Sequence, residues 1–256
     1  MFPSQSADRF PNHGRSSSMR APKILITALA LGVGALVGAG PAAAALPALA
    51  EESQPFHVSA SQGVVAWSLW DAQARVYRLV ALRPDSQAPS QRTVLPVPGS
   101  WEPFDVDLGT SRTGALVAVY SRHTDGAQQD LYRYSFATGK ETLLKALSRS
   151  DIDERHPTVW RGDIAFVRAS SQTTRIMVGN TTRAGAPRTL VSRRLNQGTF
   201  SQPELIISRG VRRVSYLVSS LAANGFGRQA VHVRTVRSAQ DRAIHVAQSG
   251  GPTPRR

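Results

Sequence analysis

The segment "DLYRYSFATGKETLL", from Asp130 to Leu144, alternates apolar and polar residues, stops at Thr138-Gly139 and then resumes. A period of two is typical of a β-strand with one buried face, and glycine at the break suits a tight turn because it tolerates positive φ. The segment therefore predicts a β-hairpin. One face of its first strand carries Tyr132, Tyr134 and Phe136, and the other face carries Leu131, Arg133 and Ser135.

The hairpin belongs to a unit that recurs along the chain. Four segments, "QPFHV", "EPFDV", "HPTVW" and "QPELI", share an x-Pro-x-apolar pattern, and they are spaced 48, 54 and 46 residues apart at Pro55, Pro103, Pro157 and Pro203. Three short segments rich in β-branched and aromatic residues follow each proline. Four strands in about 50 residues are typical of a propeller blade. The sequence therefore predicts an all-β, β-propeller-like domain over residues 51–250, with four repeats of about four antiparallel strands each.

Two stretches carry a family resemblance. "HPTVWRGDIAFVR" and "SRHTDGAQQDLYRYSFATGKETLL" resemble the TolB-type (WD40-like) β-propeller repeat, in which Pro-x-aromatic opens the blade and Ile-Ala-Phe fills its second strand. The resemblance covers Pro55 to about Val246 and implies the propeller of an exported bacterial protein. TolB-type propellers usually have six or more blades, whereas four repeats are visible here. Self-closure of the ring, an open ring, and a ring completed by a second copy in a homodimer are therefore three alternatives.

The first 50 residues have the features of a targeting segment. A short cationic stretch, Met19 to Lys23, precedes an apolar run from Ile24 to Gly40, and Ala-x-Ala motifs end at Ala45 and Ala50. This order predicts a secretory signal peptide that is cleaved near one of those alanines, and hence a secreted or extracytoplasmic protein. An uncleaved membrane anchor is the alternative. The residues before Met19 are read either as an overlong start or as a disordered extension, and residues 251–256 as a disordered basic tail.

Composition and missing motifs narrow the function. The chain has no cysteine, so the domain is expected to be held by its own core and not by disulfides. It lacks Gly-x-Ser-x-Gly, His-Glu-x-x-His, a Walker loop and a dinucleotide fingerprint. We therefore expect a binding or scaffold module of the cell envelope or medium in preference to an enzyme. The alternative is a propeller hydrolase or lyase that acts on polysaccharide with carboxylates in its channel.

The best acidic candidates are Asp105 and Asp107 in "EPFDVDLG". Residues two apart on a strand share a face, so both carboxylates can point into the central channel. Together with nearby carbonyl oxygens they could hold a calcium ion, or they could be solvated channel residues, and no other cofactor is expected. A second acidic cluster lies in the loop "SDIDERHP", where solubility and turn capping are expected, at Asp151, Asp153 and Glu154.

Histidine and tryptophan give weaker signals. His57 is expected at the same blade position as Asp105, and His156 precedes a blade-opening proline, but neither has a second metal ligand at a local spacing. We therefore expect neither histidine to bind a metal. The four tryptophans are expected to pack in or beside inner strands, and Trp101 is the most loop-like and thus the best candidate for a ligand contact.

Charge is distributed unevenly along the chain. Residues 157–256 carry a net charge of +13, whereas residues 51–156 carry −2. A basic half on an exported protein suits an anionic partner, either a protein or an envelope polymer, and nucleic acid is not expected. Membrane contact is expected only through an uncleaved signal segment. The alternative reading is arginine-rich compositional drift. The candidate ligand-binding arginines are Arg193, Arg194, Arg212 and Arg213.

Overall fold

The computed structural model describes most of the repeat region. The predicted signal segment and the basic tail lie outside the described residues, and so does the turn at Asp125-Gly126. No described helix is long and apolar enough to cross a membrane. The described residues are 56–83, 92–123, 128–183, 185–221, 227–237 and 241–249.

Sixteen β-strands form four four-stranded antiparallel sheets, each built in chain order, which confirms the predicted four-blade β-propeller. Blade 1 contains β1 Phe56–Ser61, β2 Val64–Asp71, β3 Val76–Leu82 and β4 Thr93–Val94. Blade 2 contains β5 Asp105–Thr110, β6 Leu116–His123, β7 Gln129–Ser135 and β8 Lys140–Leu143. Blade 3 contains β9 Asp153–Trp160, β10 Asp163–Ala169, β11 Thr173–Asn180 and β12 Arg188–Arg194. Blade 4 contains β13 Thr199–Ser208, β14 Val211–Leu221, β15 Gly227–Thr235 and β16 Asp241–Ser249.

The first strand of each blade faces the propeller axis. Around the axis β1 contacts β5, β5 contacts β9, and β9 contacts β13. Among the described strands, blades 4 and 1 do not share a contact of similar extent. The one described helix is a single 3-10 turn at Leu195–Gln197, between blades 3 and 4.

The hydrophobic core lies between the blades. The hairpin from Asp130 to Leu144 shows how it is built, because Tyr132 and Tyr134 of β7 pack with blade 1, while Leu131 packs with blade 3. Its turn is as predicted, with Gly139 at φ +66°. A third cluster between blades 3 and 4 contains Tyr216 and Phe200 in an edge-to-face pair. Burial of these apolar faces at each interface is the main force that stacks the sheets.

Three of the four inner strands contain a β-bulge. In β1, β9 and β13 two residues oppose one residue of the neighbouring strand, whereas β5 pairs with β6 without interruption. The bulge shifts the register, so His57 corresponds to Asp107, and its expected equivalence to Asp105 is wrong. The first residue of every bulge has a left-handed backbone conformation: His57 (φ 49°), His156 (φ 50°) and Gln202 (φ 49°).

Candidate functional site

A cavity of about 1000 Å³ lies on the propeller axis and is lined by all four inner strands. Concave sites of this size that contain a few convergent polar groups are the usual place for a ligand. The cavity is therefore the candidate functional site. Its ionisable lining residues are His57, Asp105, Asp107, His156, Arg161 and Glu204.

Asp105 is the centre of a polar cluster in this cavity. Its carboxylate is buried, with His57 Nε2 lying 2.8 Å from Oδ1 and His156 Nδ1 lying 3.2 Å from Oδ2. The backbone N–H of His156 also donates to Oδ2, at 3.1 Å, and Ser121 Oγ donates to it at 3.5 Å. Side chains from three blades thus converge on one carboxylate.

The bulges are the elements that bring the histidines to Asp105. A bulge re-aims the side chain of its extra residue, and His57 and His156 are the first residues of the bulges in β1 and β9. Each has positive φ, which costs a residue with a side chain roughly 1–2 kcal/mol. Strain of this kind concentrates at functional positions, so the bulges are consistent with a site and not only with packing.

Asp107 has a different environment, although it is only two residues from Asp105. Ser59 Oγ donates to Oδ1 at 2.7 Å, and the backbone N–H of Val159 donates to Oδ2 at 2.7 Å. Ser59 Oγ in turn accepts the backbone N–H of Leu108 at 2.9 Å. Asp107 therefore joins β1, β5 and β9 with hydrogen bonds, and both of its oxygens are occupied by protein donors.

The two carboxylates have opposite pKa shifts. Burial would raise the pKa of Asp105, but the hydrogen bonds and charges of His156 and His57 outweigh it and hold that pKa well below its usual range. Burial raises the pKa of Asp107 despite the Val159 and Ser59 hydrogen bonds. The hydrogen bond to Asp105 raises the pKa of His57, against the effect of burial. Burial and the charge of Asp107 raise the pKa of Glu204.

The expectation that the histidines stand alone is wrong for His57 and His156. Local spacing misses them because the three residues come from three blades, which the fold joins 48 and 51 residues apart in sequence. One sequence signal could have found them. Both histidines lie within two residues of a blade-opening proline, at the point where every repeat reaches the axis.

The four candidate arginines do not form one patch. Arg193 and Arg194 end β12, where β13 begins opposite Ser219 of β14. Arg212 and Arg213 lie about 20 Å away, near the other end of β14. Arg193 donates to the carbonyl of Gln197, and Arg212 forms an ion pair with Asp163.

The remaining candidates fall outside the cavity. Trp101 is 60% exposed and its ring lies 4.1 Å from that of His123, which is also paired with Glu102. In the second acidic cluster Asp151 forms an exposed ion pair with Arg149, as a loop residue should. Glu154 does not fit the prediction of a solvated loop, because it belongs to β9 and is fully buried against Arg168.

Solved structures of other proteins are similar to this fold. The chain superposes on TolB from Acinetobacter baumannii with a TM-score of 0.54 and 13% sequence identity, covering 79% of this chain and 48% of TolB. It superposes on a puromycin hydrolase mutant complexed with PGG with a TM-score of 0.53 and 16% identity, covering 82% of this chain and 31% of the hydrolase. No protein-family model matches the sequence, and no curated protein matches it.

The chain is thus a four-blade β-propeller, and its fold resembles the propellers of TolB and of a hydrolase. It spans about half the length of the first and about a third of the second. At these identities the likeness concerns the fold, because one fold supports many functions.

Proposed function

We propose that this protein is an exported, non-catalytic β-propeller module that binds an anionic partner, either a protein or a cell-envelope polymer, through blades 3 and 4. The observation that carries the proposal is the charge of the chain from Pro157 onward, which contains most of blade 3, all of blade 4 and the C-terminal tail. Residues 157–256 contain 16 basic and 3 acidic residues. A field of one sign attracts an oppositely charged partner and accelerates its association.

Ion pairing within the basic half leaves most of this charge uncompensated. Of its acidic residues, Asp163 is paired with Arg212, and Glu204 faces the axial cavity. In and after blade 2, in contrast, Arg122 is paired with Glu141 and Arg149 is paired with Asp151. The exposed arginines of blades 3 and 4 are free to meet an external anion, and their planar guanidinium groups suit carboxylate and phosphate. They include Arg161, Arg183, Arg194, Arg209, Arg228, Arg237 and Arg242.

Two separate arginine pairs suggest an extended partner. Arg193 and Arg194 lie at one end of blade 3's outer strand, and Arg212 and Arg213 lie near the opposite end of β14. A small anion cannot contact both pairs across about 20 Å, but a polymer or a protein surface can. Several weak contacts along one ligand then add to a useful affinity.

The polysaccharide hydrolase or lyase remains the second candidate function. The opposite pKa shifts of Asp105 and Asp107 favour it, because acid–base pairs in active sites are tuned in this way. The hydrogen bonds of Asp107 count against it. Each of its oxygens already accepts a 2.7 Å hydrogen bond, from Ser59 Oγ or from the Val159 N–H, so Asp107 joins neighbouring strands and is poorly placed to move a substrate proton. We therefore prefer the binding role.

The test is salt-dependent binding to an immobilised acidic polysaccharide such as alginate. The parent should bind at low salt and lose affinity steeply as ionic strength rises, because exposed charges are screened within about 10 Å at 0.1 M. R193S/R194S and R212S/R213S should each weaken binding about tenfold at low salt. The matched control is K140S/K145S, which removes the same charge from exposed positions of blade 2 and should change little.

Two results would count against the proposal. One is binding that does not change with salt concentration, and the other is a control variant that weakens binding as much as the arginine variants do. Either result would mean that the basic residues reflect compositional drift and not a binding role. The same samples test the second candidate, since new reducing ends in the polysaccharide, abolished by D105N, would indicate an enzyme. Retention of the thermal transition in each variant confirms that the blades still fold.

A further inference from the structure

We propose that His57, Asp105 and His156 bind one divalent transition-metal ion, of the class of Zn²⁺, in the axial cavity. The proposal concerns inner strands only and is independent of the anionic docking on blades 3 and 4. It differs from the calcium site expected from the sequence at Asp105 and Asp107, because His57 and His156 converge on Asp105, whereas Asp107 is not part of that group and is hydrogen-bonded to Ser59 and Val159.

The spacing of the three side chains suits one ion. A nitrogen of each histidine and a carboxylate oxygen of Asp105 all lie within 4.8 Å of one another. His57 Nε2 lies 2.8 Å from Asp105 Oδ1, and His156 Nδ1 lies 3.2 Å from the other oxygen, Oδ2. Ligands of a tetrahedral zinc ion, with bonds of about 2.0–2.2 Å, lie about 3.3 Å apart, so small side-chain rotations are enough. Among the described residues no other group of three or more potential ligands converges in this way.

Hydrogen bonds to Asp105 and the backbone of the bulges hold the three proposed ligands in place. The His156 N–H and Ser121 Oγ donate to Asp105 Oδ2 and fix the orientation of the carboxylate. Such outer contacts orient metal ligands and raise affinity. The backbone of each histidine is fixed by its bulge, and the three ligands stand on three separate blades. Assembly of the site therefore depends on the stacking of blades 1, 2 and 3.

The donor atoms select the kind of metal. Two imidazole nitrogens and one carboxylate oxygen suit zinc, nickel, copper or iron, whereas calcium and magnesium require a shell of oxygen atoms. Three protein ligands leave a fourth coordination position. Because His57 has a partly exposed side chain and the cluster lines the 1000 Å³ cavity, that position faces the cavity and accepts water or a donor group of a ligand.

The primary experiment is equilibrium dialysis of the full mature chain against Zn²⁺, with the bound metal measured by atomic spectroscopy. We expect one zinc ion per chain, and no comparable uptake of Ca²⁺. The variants are D105N, H57N and H156N. Asparagine is chosen for the histidines because it tolerates the left-handed backbone at both positions while removing the imidazole. Each variant should lower zinc affinity at least about 100-fold, the upper range for contacts that only support a ligand.

The matched control is H123N, which removes the histidine of the other described histidine–carboxylate pair, His123 with Glu102, and should leave zinc binding unchanged. A second measurement needs no variant. Replacement of zinc by Co²⁺ should give the intense visible absorption of a four-coordinate site, whereas a six-coordinate surface ion absorbs weakly. Failure of the parent to take up zinc, retention of zinc by H57N and H156N, or a preference for Ca²⁺ would each overturn the proposal.

Discussion

The inner strand of blade 2 differs from the other three inner strands. β5 is regular, so Asp105 and Asp107 both line the cavity from one strand. β1, β9 and β13 are bulged, and the bulges of β1 and β9 present His57 and His156 to Asp105. Four repeats of one pattern therefore do not give four equivalent blades. Asp105 meets the two histidines because the regular strand β5 lies between the bulged strands β1 and β9.

The comparison also separates two tasks within β5. Asp105 meets two imidazole groups and can serve a ligand, whereas Asp107 accepts hydrogen bonds from β1 and β9 and connects three blades. One strand thus carries the candidate chemistry and holds its neighbours together. Changes on β5 should accordingly cost more stability than changes at the bulges.

The largest effect is expected for G109A, at the close approach of β5 and β9. A Cβ atom at Gly109 would lie 2.3 Å from the carbonyl oxygen of Val159, which is backbone and cannot move aside. We expect the free energy of unfolding to fall by about 3 kcal/mol in denaturant titrations. G185A is the control, because Gly185 has no atom within 4 Å of the added methyl group. Equal stability of the two variants would mean that β5 and β9 are not in this contact.

D107A should have the next largest effect. It removes the acceptor for Ser59 Oγ and for the backbone N–H of Val159, and leaves both partly buried donors unpaired. The expected loss is about 2 kcal/mol of unfolding free energy, the usual range for buried unsatisfied groups. The control is D151A, whose ion pair with Arg149 is exposed and should contribute little. A loss below that of D151A would contradict a connecting role for Asp107.

The fold and the candidate site differ in how much of each the sequence could predict. Alternation in the hairpin at Tyr132 and proline spacing predict the four blades, because strand faces and repeat lengths are local properties. Asp105 and Asp107 are also predictable as cavity residues, since they are two apart on an inner strand. The convergence of His57 and His156 on Asp105 is not predictable from the sequence, because it depends on bulges that shift the register and on how three blades stack.

A pH titration compares β5 with β9. Glu154 of β9 pairs with Arg168 of β10, in the same way that Asp105 of β5 pairs with Ser121 of β6. Burial raises the pKa of Glu154 to about 7, although the positive charge of Arg168 lowers it. A carboxyl group whose pKa is higher in the folded than in the unfolded state binds its proton more tightly when folded. Its contribution to stability is therefore present below the unfolded pKa and is lost as pH rises towards 7.

We expect the unfolding free energy of the parent to decline between about pH 5 and pH 7. The raised pKa values of Asp107 and Glu204 act in the same direction. Chemical denaturation at a series of pH values should show a shallower decline for E154Q, which cannot titrate. D151N is the control and should keep the slope of the parent, because the hydrogen bond with Arg149 lowers the pKa of Asp151 and places its titration below this pH range. An unchanged slope in E154Q would mean that Glu154 stays ionised.

The smallest effect tests whether the bulges are strained. Gln202 is the bulge residue of β13 and is exposed, so Q202G relieves the left-handed conformation without loss of buried contacts. Relief of roughly 1–2 kcal/mol, less the entropy that glycine loses on folding, leaves a net gain of about 0.5 kcal/mol in unfolding free energy. T110G in regular β5 is the control and should lose about 1 kcal/mol, because glycine weakens an ordinary strand. If Q202G loses as much stability as T110G, the bulge is not strained and the difference between β5 and its neighbours is one of register alone.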